Sequence, residues 1–561
     1  MYDERTPVLI AGGGLVGLSM ALFLGQHGVR PLLVERHSGT ANHARTPGYN
    51  PRTMELFRSC GIEDAIRDAD DWPVDKTGIL WVETLAGEEI GWLEPPEFKA
   101  DLSAFAEVTP SDWAVCRQDR LEPVLRTHAE RLGGDLRFGT RLVSFEPDPE
   151  GVTVVIEDRD TGARRTVRAD YLVDAEGTKS EIRRALGIEH VGAGVLDHRV
   201  SIWFRADLSQ ARRGRGVVLC MVRNPEVTGA LRVTTGDQAA LTVSYDPAKG
   251  ESPEDFTPER CVQLIRAAVG VPDLPVSVEM VSPWDLAAGV AQRYRQGRVF
   301  LVGDSAHLMP PAGAYGANTG IQESHNLAWK LAFVLGGVAD EALLDSYQAE
   351  RRPVAELTMH ETVARWRSWF AAGPHPGPDA EPVQLADDLG LMFGYGYRSA
   401  AVLAEKDTEA TEATGDTVAT LADPREPTGA PGVRAPHVWF AESVSADATL
   451  VSTTDLCRSA FVLLTDVTGE QWRRAALLLR DRLGVPLDCY LIGPGGDLRD
   501  VEGRWPDTFR IGAGGAVLLR PDGFVAWRER GRHPDRVHEQ EHEQTLERVL
   551  RRLLHPGGDT S

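Results

Sequence analysis

The 561-residue sequence has no uninterrupted apolar run of the roughly 18 residues that cross a bilayer, so no membrane span is expected. Its N-terminus enters an apolar strand directly, without the basic, apolar and small-residue succession of an export signal. The six cysteines (Cys60, Cys116, Cys220, Cys261, Cys457 and Cys489) lie far apart, with no CxxC pair and no metal-ligand spacing. That pattern argues against a zinc site, a dithiol redox centre or a disulfide framework, and for reduced thiols in a cytoplasmic protein. Positive charge is also scarce, with 60 Lys and Arg against 83 Asp and Glu and a net charge of −23. A nucleic-acid or anionic-membrane partner is therefore not expected. Internal repeats are absent, and the length is too great for one core, so two or three domains are expected.

Three segments carry chemistry. In the first, the apolar run Pro7–Ala11 reads as a buried parallel strand and leads into Gly12-Gly13-Gly14-Leu15-Val16-Gly17. An apolar helix follows, then a second strand ending in Glu35. This is a complete dinucleotide-binding unit. Gly12 permits the tight turn, Gly14 lets backbone approach a pyrophosphate, and Gly17 lets helix and strand pack closely. The helix N-terminus offers unpaired N–H groups to the phosphates, and Glu35 can accept ribose hydroxyls. On these residues alone the ligand could be NAD or FAD. The second segment is a short strand from Tyr171 that runs into Glu176-Gly177, then Ser180 and Arg183. In the third, the strand Val299–Val302 runs into Gly303-Asp304 and a Pro/Gly-rich loop, with a long amphipathic helix expected from about Asn318. Asp304 stands at a strand's C-terminal end, where it could hold a flavin's ribityl chain. The helix start behind it could face the flavin's pyrimidine edge.

In this order and spacing the segments resemble the class A flavoprotein hydroxylases, the para-hydroxybenzoate hydroxylase superfamily. The stretch GDSAHLMPPAGAYGANTGIQESHNLAWKLA looks most like the ring hydroxylases of bacterial aromatic-polyketide and natural-product biosynthesis. The resemblance implies that Gly12, Gly14, Leu15, Val16, Gly17 and Glu35 bind the ADP half of FAD. Arg36 would lie over the adenine, Arg45 near the flavin end, and Leu142 on the strand flanking the adenine. Arg117 and Gln118 match a helix start that contacts the cofactor. Asp304 would bind the ribityl chain, and Pro311 to Asn318, with Gly316 between them, would line the ring. One departure is that Glu176 stands where the family usually has Asp, with Asp174 two residues earlier; the acid is kept one methylene longer. No second dinucleotide fingerprint exists, since the glycines at 493–496 and 512–515 do not open helices. NADPH or NADH would therefore bind transiently, without a domain of its own.

The fold class expected is α/β. A Rossmann-like FAD domain would comprise residues 1–73, 112–185 and 285–370. A mainly antiparallel sheet from 74–111 and 186–284 would cover the flavin and form the substrate pocket, with Trp203, Arg205 and Met221 as candidate wall residues. Residues 371–430 read as a linker and connecting segment. From about 431 to 561, the strands FVLLTDV, LDCYLIG and AVLLRPDGFVAWR and the helix Glu470–Leu483 resemble the thioredoxin-like C-terminal domain of phenol-hydroxylase-type members, here lacking CxxC. Packing or homodimerisation is its expected use. The tail HEQEHEQ reads as a solvated helical face rather than a metal site.

The resemblance implies that NAD(P)H reduces the flavin, that O2 adds to it as a hydroperoxide, and that an aromatic substrate's electron-rich carbon takes up the distal oxygen. No side chain is assigned as catalytic base, since a substrate phenolate could activate the ring itself. A multi-ring polyketide or other secondary metabolite is the favoured substrate. A smaller phenol or hydroxypyridine, or Baeyer–Villiger oxygenation on the same scaffold, is the alternative. A halogenase would carry a WxWxIP segment, and the sequence has none.

Overall fold

The structure is a computed structural model that describes residues 2–43, 48–69, 78–93, 103–215, 219–233, 236–368, 384–405, 421–442, 450–531 and 539–557. Three sheets organise these residues. The first has a parallel core in the order Val299–Leu301, Arg164–Asp174, Glu4–Ala11, Leu32–Glu35, Asp135–Phe138. Val8–Ala11 form an apolar run because both faces of their strand are covered. A hairpin, Thr140–Asp148 and Gly151–Asp158, pairs antiparallel onto Arg164–Asp174. That last strand is 11 residues long, more than the short run expected from Tyr171.

In register, Ala11 lies beside Asp174 and Asp174 beside Leu301. All three motifs therefore leave the sheet at adjacent strand ends, the edge where open α/β sheets take ligands.

The second sheet runs His307–Leu308, Ser277–Ala291, His190–Arg205, Gln238–Tyr245, Thr228–Val233, Leu219–Arg223, Ile79–Val82, Glu89–Leu93. It is antiparallel except where Leu219–Arg223 meets Ile79–Val82. Helix Pro258–Val269 has an amphipathic pattern and packs its Cys261, Leu264, Ile265 and Ala268 onto one face. Ser277–Ala291 runs through the boundary expected at 284–285.

The third sheet, Leu450–Ser452, Trp439–Glu442, Leu498–Asp500, Leu487–Ile492, Phe461–Asp466, Ala516–Leu519, Val525–Glu529, is mixed. Helices Glu470–Leu483 and Glu539–Leu554 cover one of its faces. The expected turn between its last two strands is present, with Gly523 N–H donating to Arg520 O.

Three expectations change. The helix expected from Asn318 begins at Tyr315, runs to Leu335, and is not amphipathic: every residue from Asn318 to Leu331 is buried. It lies between helices Leu15–Gln26 and Asp345–Trp366 and against the third sheet, so along Asn318–Leu331 no side of it meets water. Within the expected linker, Leu389, Leu391, Met392, Phe393, Tyr395 and Tyr397 are buried, so this stretch is packed structure rather than a tether. In the tail, His542 does not simply face solvent, because its ring packs edge-on against Trp472 at 4.4 Å. Among the described residues no group of three or more His, Cys, Asp or Glu could hold a metal, and no helix is long and apolar enough to cross a membrane.

Candidate functional site

The glycine turn behaves as its spacing requires. Gly12 has φ +111°, and a Cβ there would stand 2.3 Å from the carbonyl oxygen of Ala175. A Cβ on Gly17 would stand 1.9 Å from the carbonyl oxygen of Gly12. Gly14 differs, since the nearest atom to a Cβ there is 3.9 Å away. The helix it opens has no side-chain cap and no acid in its first turn, but the Glu122 carboxylate lies against its start and accepts from Leu15 N–H. The helix start still offers backbone donors and a partial positive charge, the set that suits a pyrophosphate. Leu15 is buried and Val16 packs onto Gly303 and Gly320, so both offer only backbone to a ligand there. Glu35 ends its strand with one carboxylate oxygen accepting from Gly13 N–H (2.7 Å) and the other from His37 N–H (2.8 Å). Arg36 beside it is exposed, and Leu142 is half-buried in the neighbouring hairpin. Arg45 lies outside the described residues.

The second and third motifs are tied together. Asp174 is fully buried and accepts from Ser180 Oγ (2.6 Å), Ser305 Oγ (2.9 Å) and Glu176 N–H (3.0 Å). Burial pushes its carboxyl up to about 6, a rise its hydrogen bonds only partly offset. Ser305 Oγ also accepts from Gly177 N–H (3.0 Å), joining the Glu-Gly turn to the Gly-Asp turn. Glu176 does not reach toward the cleft. Its Oε2 accepts from Glu181 N–H (2.8 Å) and Ile182 N–H (3.1 Å), so the extra methylene serves a cap on helix Glu181–Ala185. Asp304 is exposed at the strand end, as a ribityl ligand must be. Behind it, Gly303 N–H donates to Glu323 Oε2 (2.8 Å), which also lies 3.3 Å from His307 Nε2 with both side chains fully buried. Burial lowers the His307 imidazole pKa, but Glu323 outweighs it and holds it above the usual range.

Asn318 needs a correction. Its side chain points inward, with Oδ1 accepting from Asn50 N–H (3.0 Å) and Nδ2 donating to Ala314 O (2.7 Å) and Gly48 O (3.3 Å). Only its backbone can address a ligand, and the side chain fixes the loop instead. Pro311 is exposed and Gly316 open on the same rim. Ala314, at φ +56°, starts the helix without a side-chain cap. Arg117 pairs with Asp119 (2.6 Å), and Gln118 Nε2 donates to Glu122 Oε1 (2.7 Å). Sequence reading missed Glu122, whose other oxygen accepts from Ala41 N–H (2.6 Å). The four-residue spacing from Gln118 was the available signal.

In the second sheet, Ile202 and Phe204 face helix Pro258–Val269, so Ser201 and Trp203 face the other way. Across that face, Trp203 neighbours Ala240 and then Arg232, while Ser201 neighbours Thr242, Ala230, Met221 and Trp81 in turn. The His43 ring, from the loop after Glu35, lies 4.8 Å from Trp203, which brings this face against the nucleotide-binding half. Arg205 is corrected. It is half exposed at the strand's end and paired with Asp237 (2.8 Å) and Glu279 (2.5 Å), so it does not line an enclosed wall. Arg232, missed from the sequence, sits on the Trp203 face, with its guanidinium pKa lowered by burial.

Comparison with known proteins agrees with this geometry. Residues 5–362 match the FAD binding domain family, and residues 428–556 match the aromatic-ring hydroxylase C-terminal family. The chain is 42% identical over 536 residues to 4-methyl-5-nitrocatechol 5-monooxygenase of Burkholderia sp, covering 94% of this chain and 95% of that one. It is 41% identical over 558 residues to tetracenomycin A2 monooxygenase-dioxygenase of Streptomyces glaucescens, covering 94% of each. Among solved structures, a ternary complex of aklavinone-11 hydroxylase with FAD and aklavinone superposes with TM-score 0.86 at 39% identity, over 99% of this chain and 100% of that one. A glycine turn, a buried acid and a Gly-Asp strand end meeting at one sheet edge, above an inserted sheet, place the chain in the family of FAD-dependent aromatic-ring hydroxylases.

Proposed function

We propose that the protein inserts one oxygen atom from O2 into a multi-ring aromatic secondary metabolite of polyketide type, at the expense of NAD(P)H. The supporting observation is the meeting of Ala11, Asp174 and Leu301 at neighbouring strand ends, together with the full-length likeness to an aklavinone hydroxylase. In this reading the first and second sheets are the cofactor and substrate domains, with the partition expected from the sequence moved to follow Ser277–Ala291.

The residues present fit FAD. Backbone N–H groups of Gly14, Val16 and Gly17 would meet the pyrophosphate, with that of Leu15 first released from Glu122, and Glu35 would meet the adenosine ribose, with Arg36 and Leu142 beside the adenine. Arg117 and Gln118 would border the cofactor, and Asp304 would take the ribityl chain. Pro311, Gly316 and the backbone of Asn318 would border the ring. When bound, the flavin supplies hydride acceptance from NAD(P)H and activation of O2. The chain's own work is placement. Trp203 at one end of its face of the second sheet, and Met221 and Trp81 three and four strands away, would border an aromatic substrate from two sides and keep water out. Arg232 puts positive charge on that face, suited to a phenolate or quinone oxygen. The uncapped start of Tyr315–Leu335 adds a partial positive charge near the ring.

A smaller phenolic ring is the second reading, favoured by the 42% identity to the nitrocatechol monooxygenase. A panel of polycyclic quinones, nitrocatechols and simple phenols tests both. Substrate-stimulated NAD(P)H oxidation and uptake of one labelled oxygen from isotopic O2 into a polycyclic product is the expected result. A product carrying the atom within an opened or expanded ring would indicate Baeyer–Villiger chemistry instead. Absence of stimulation by any polycycle, with turnover of the small phenols, would overturn the polyketide reading.

A further inference from the structure

The third sheet meets helix Tyr315–Leu335 through an apolar contact, Trp329 and Phe333 against Phe461, and beside it through a network of fully buried charge. At its centre is Asp522, in the turn between the strands Ala516–Leu519 and Val525–Glu529, with its side chain almost entirely buried. Its carboxylate accepts from Asn326 Nδ2 (3.1 Å) and Trp329 Nε1 (3.2 Å), both on helix Tyr315–Leu335. Its carbonyl oxygen accepts from Arg52 Nη2 (3.0 Å), on helix Pro51–Ser59. Arg520 clamps the carboxylate from the same turn (2.9 Å from Nε) and reaches Glu350 at 2.6 and 2.9 Å. Glu350 takes further bonds from Lys330 (2.7 Å), Asn326 (2.8 Å) and Ser399 (2.6 Å).

The two helices held by Asp522 begin at one place. Asn318 and Asn50 are bonded to each other at their helix starts, beside the loop that borders the cleft. Asn326 is eight residues beyond Asn318, about 12 Å along the helix axis. Arg52 is two residues beyond Asn50. The apolar contact alone would let these helices slide and still remain buried. The directional bonds to Asn326, Trp329 and Arg52 add what it lacks, a fixed axial position, and so fix where the first N–H groups stand. Buried ion pairs add little net stability over apolar packing but can impose one arrangement, which is the role that fits here.

We propose that Asp522 is a positioning residue for the flavin site, and that the C-terminal module serves the reaction by holding the starts of Tyr315–Leu335 and Pro51–Ser59 in register. This rests on the flavin reading above and assigns to the module a task separate from redox chemistry or assembly.

The test uses the full chain as Asp522→Asn, with Trp329→Phe as a second variant that removes the indole donor, and part of the buried ring with it, while keeping an aromatic side chain. Phe440→Leu, in the same module's core but outside the network, controls for lost stability. FAD dissociation constants come from titration of each apoprotein, visible circular dichroism reports the flavin environment, and peroxide release is compared with product formed. Asp522→Asn should weaken FAD binding about tenfold and divert NAD(P)H oxidation to peroxide, with KM for NAD(P)H unchanged. Trp329→Phe should move the same readouts in the same direction by less. Variants that match wild type, or that follow Phe440→Leu at equal loss of melting temperature, would overturn the inference alone. A wild-type protein that takes up no FAD would overturn the flavin reading and this inference with it.

Discussion

Gly14 and Gly17 lie three residues apart in one motif, yet the structure gives them opposite sensitivities. At Gly14, φ is −78°, a conformation open to any residue, and the nearest protein atom to an added Cβ is 3.9 Å away. Gly14→Ala should cost the fold less than about 1 kcal/mol, the effect of alanine at a helix N-cap. The same methyl would stand where the proposed placement brings the pyrophosphate against the backbone. Overpacking of that kind costs about 1–3 kcal/mol, or about 5- to 150-fold in FAD affinity. At Gly17 an added Cβ would sit 1.9 Å from the carbonyl oxygen of Gly12. Nothing there is a flexible side-chain tip, so backbone must move, and Gly17→Ala should lose about 3 kcal/mol or more of stability. Apoprotein melting measures the first quantity and fluorescence titration with FAD the second. The expected result is a stable Gly14→Ala protein that binds FAD poorly, beside a Gly17→Ala protein that melts early or fails to accumulate. Wild-type FAD affinity in Gly14→Ala would refute the placement of the pyrophosphate, and wild-type melting of Gly17→Ala would refute the packing argument.

Arg434→Met should destabilise the protein by about 2–3 kcal/mol, measured by denaturant unfolding, because it removes one of the two guanidinium partners of the buried Glu55 and leaves it only Arg52 and Thr109. Asp174 ionises near 6 in the folded protein against 3.8 as its ordinary value. The unfolded chain therefore releases this proton first, and stability should fall by about 3 kcal/mol as pH rises from about 4 to 6, then level. Asp174→Asn should lack this component, and melting curves of the two apoproteins that run parallel across that range would refute it. Trp203→Ala should raise KM for the aromatic substrate and increase peroxide release. Arg205→Ala should change stability by less than about 1 kcal/mol and leave turnover intact, since its ion pairs are solvent-exposed, and steady-state kinetics separate the two.

The cofactor half was legible because its constraints are local. Gly12, Gly17 and Glu35 do what a strand–turn–helix unit demands of them, and their spacing is written in consecutive residues. Asn318 and Glu176 were legible as motif positions but not as side chains, because their partners, Asn50 and the N–H groups of Glu181 and Ile182, are set by the fold. The burial of Tyr315–Leu335 was invisible for a related reason. Its Asn326, Lys330 and Glu323 read as a polar face until distant residues such as Glu350 and Asp522 supply their partners. Arg232 and Trp203 share a face only through Ala240, on the strand between them, a pairing no sequence window contains.

Two residues after the Gly303–Ser305 turn, the chain enters the second sheet, where His307–Leu308 pairs with Ser277–Ala291. The turn proposed to hold the ribityl chain and the sheet proposed to cover the aromatic ring are thus one continuous piece of backbone. Swinging that sheet as a rigid lid would drag Asp304 along with it. On the proposed reading, a bulky substrate would therefore enter past the loops around the rim rather than through a hinged swing of the sheet.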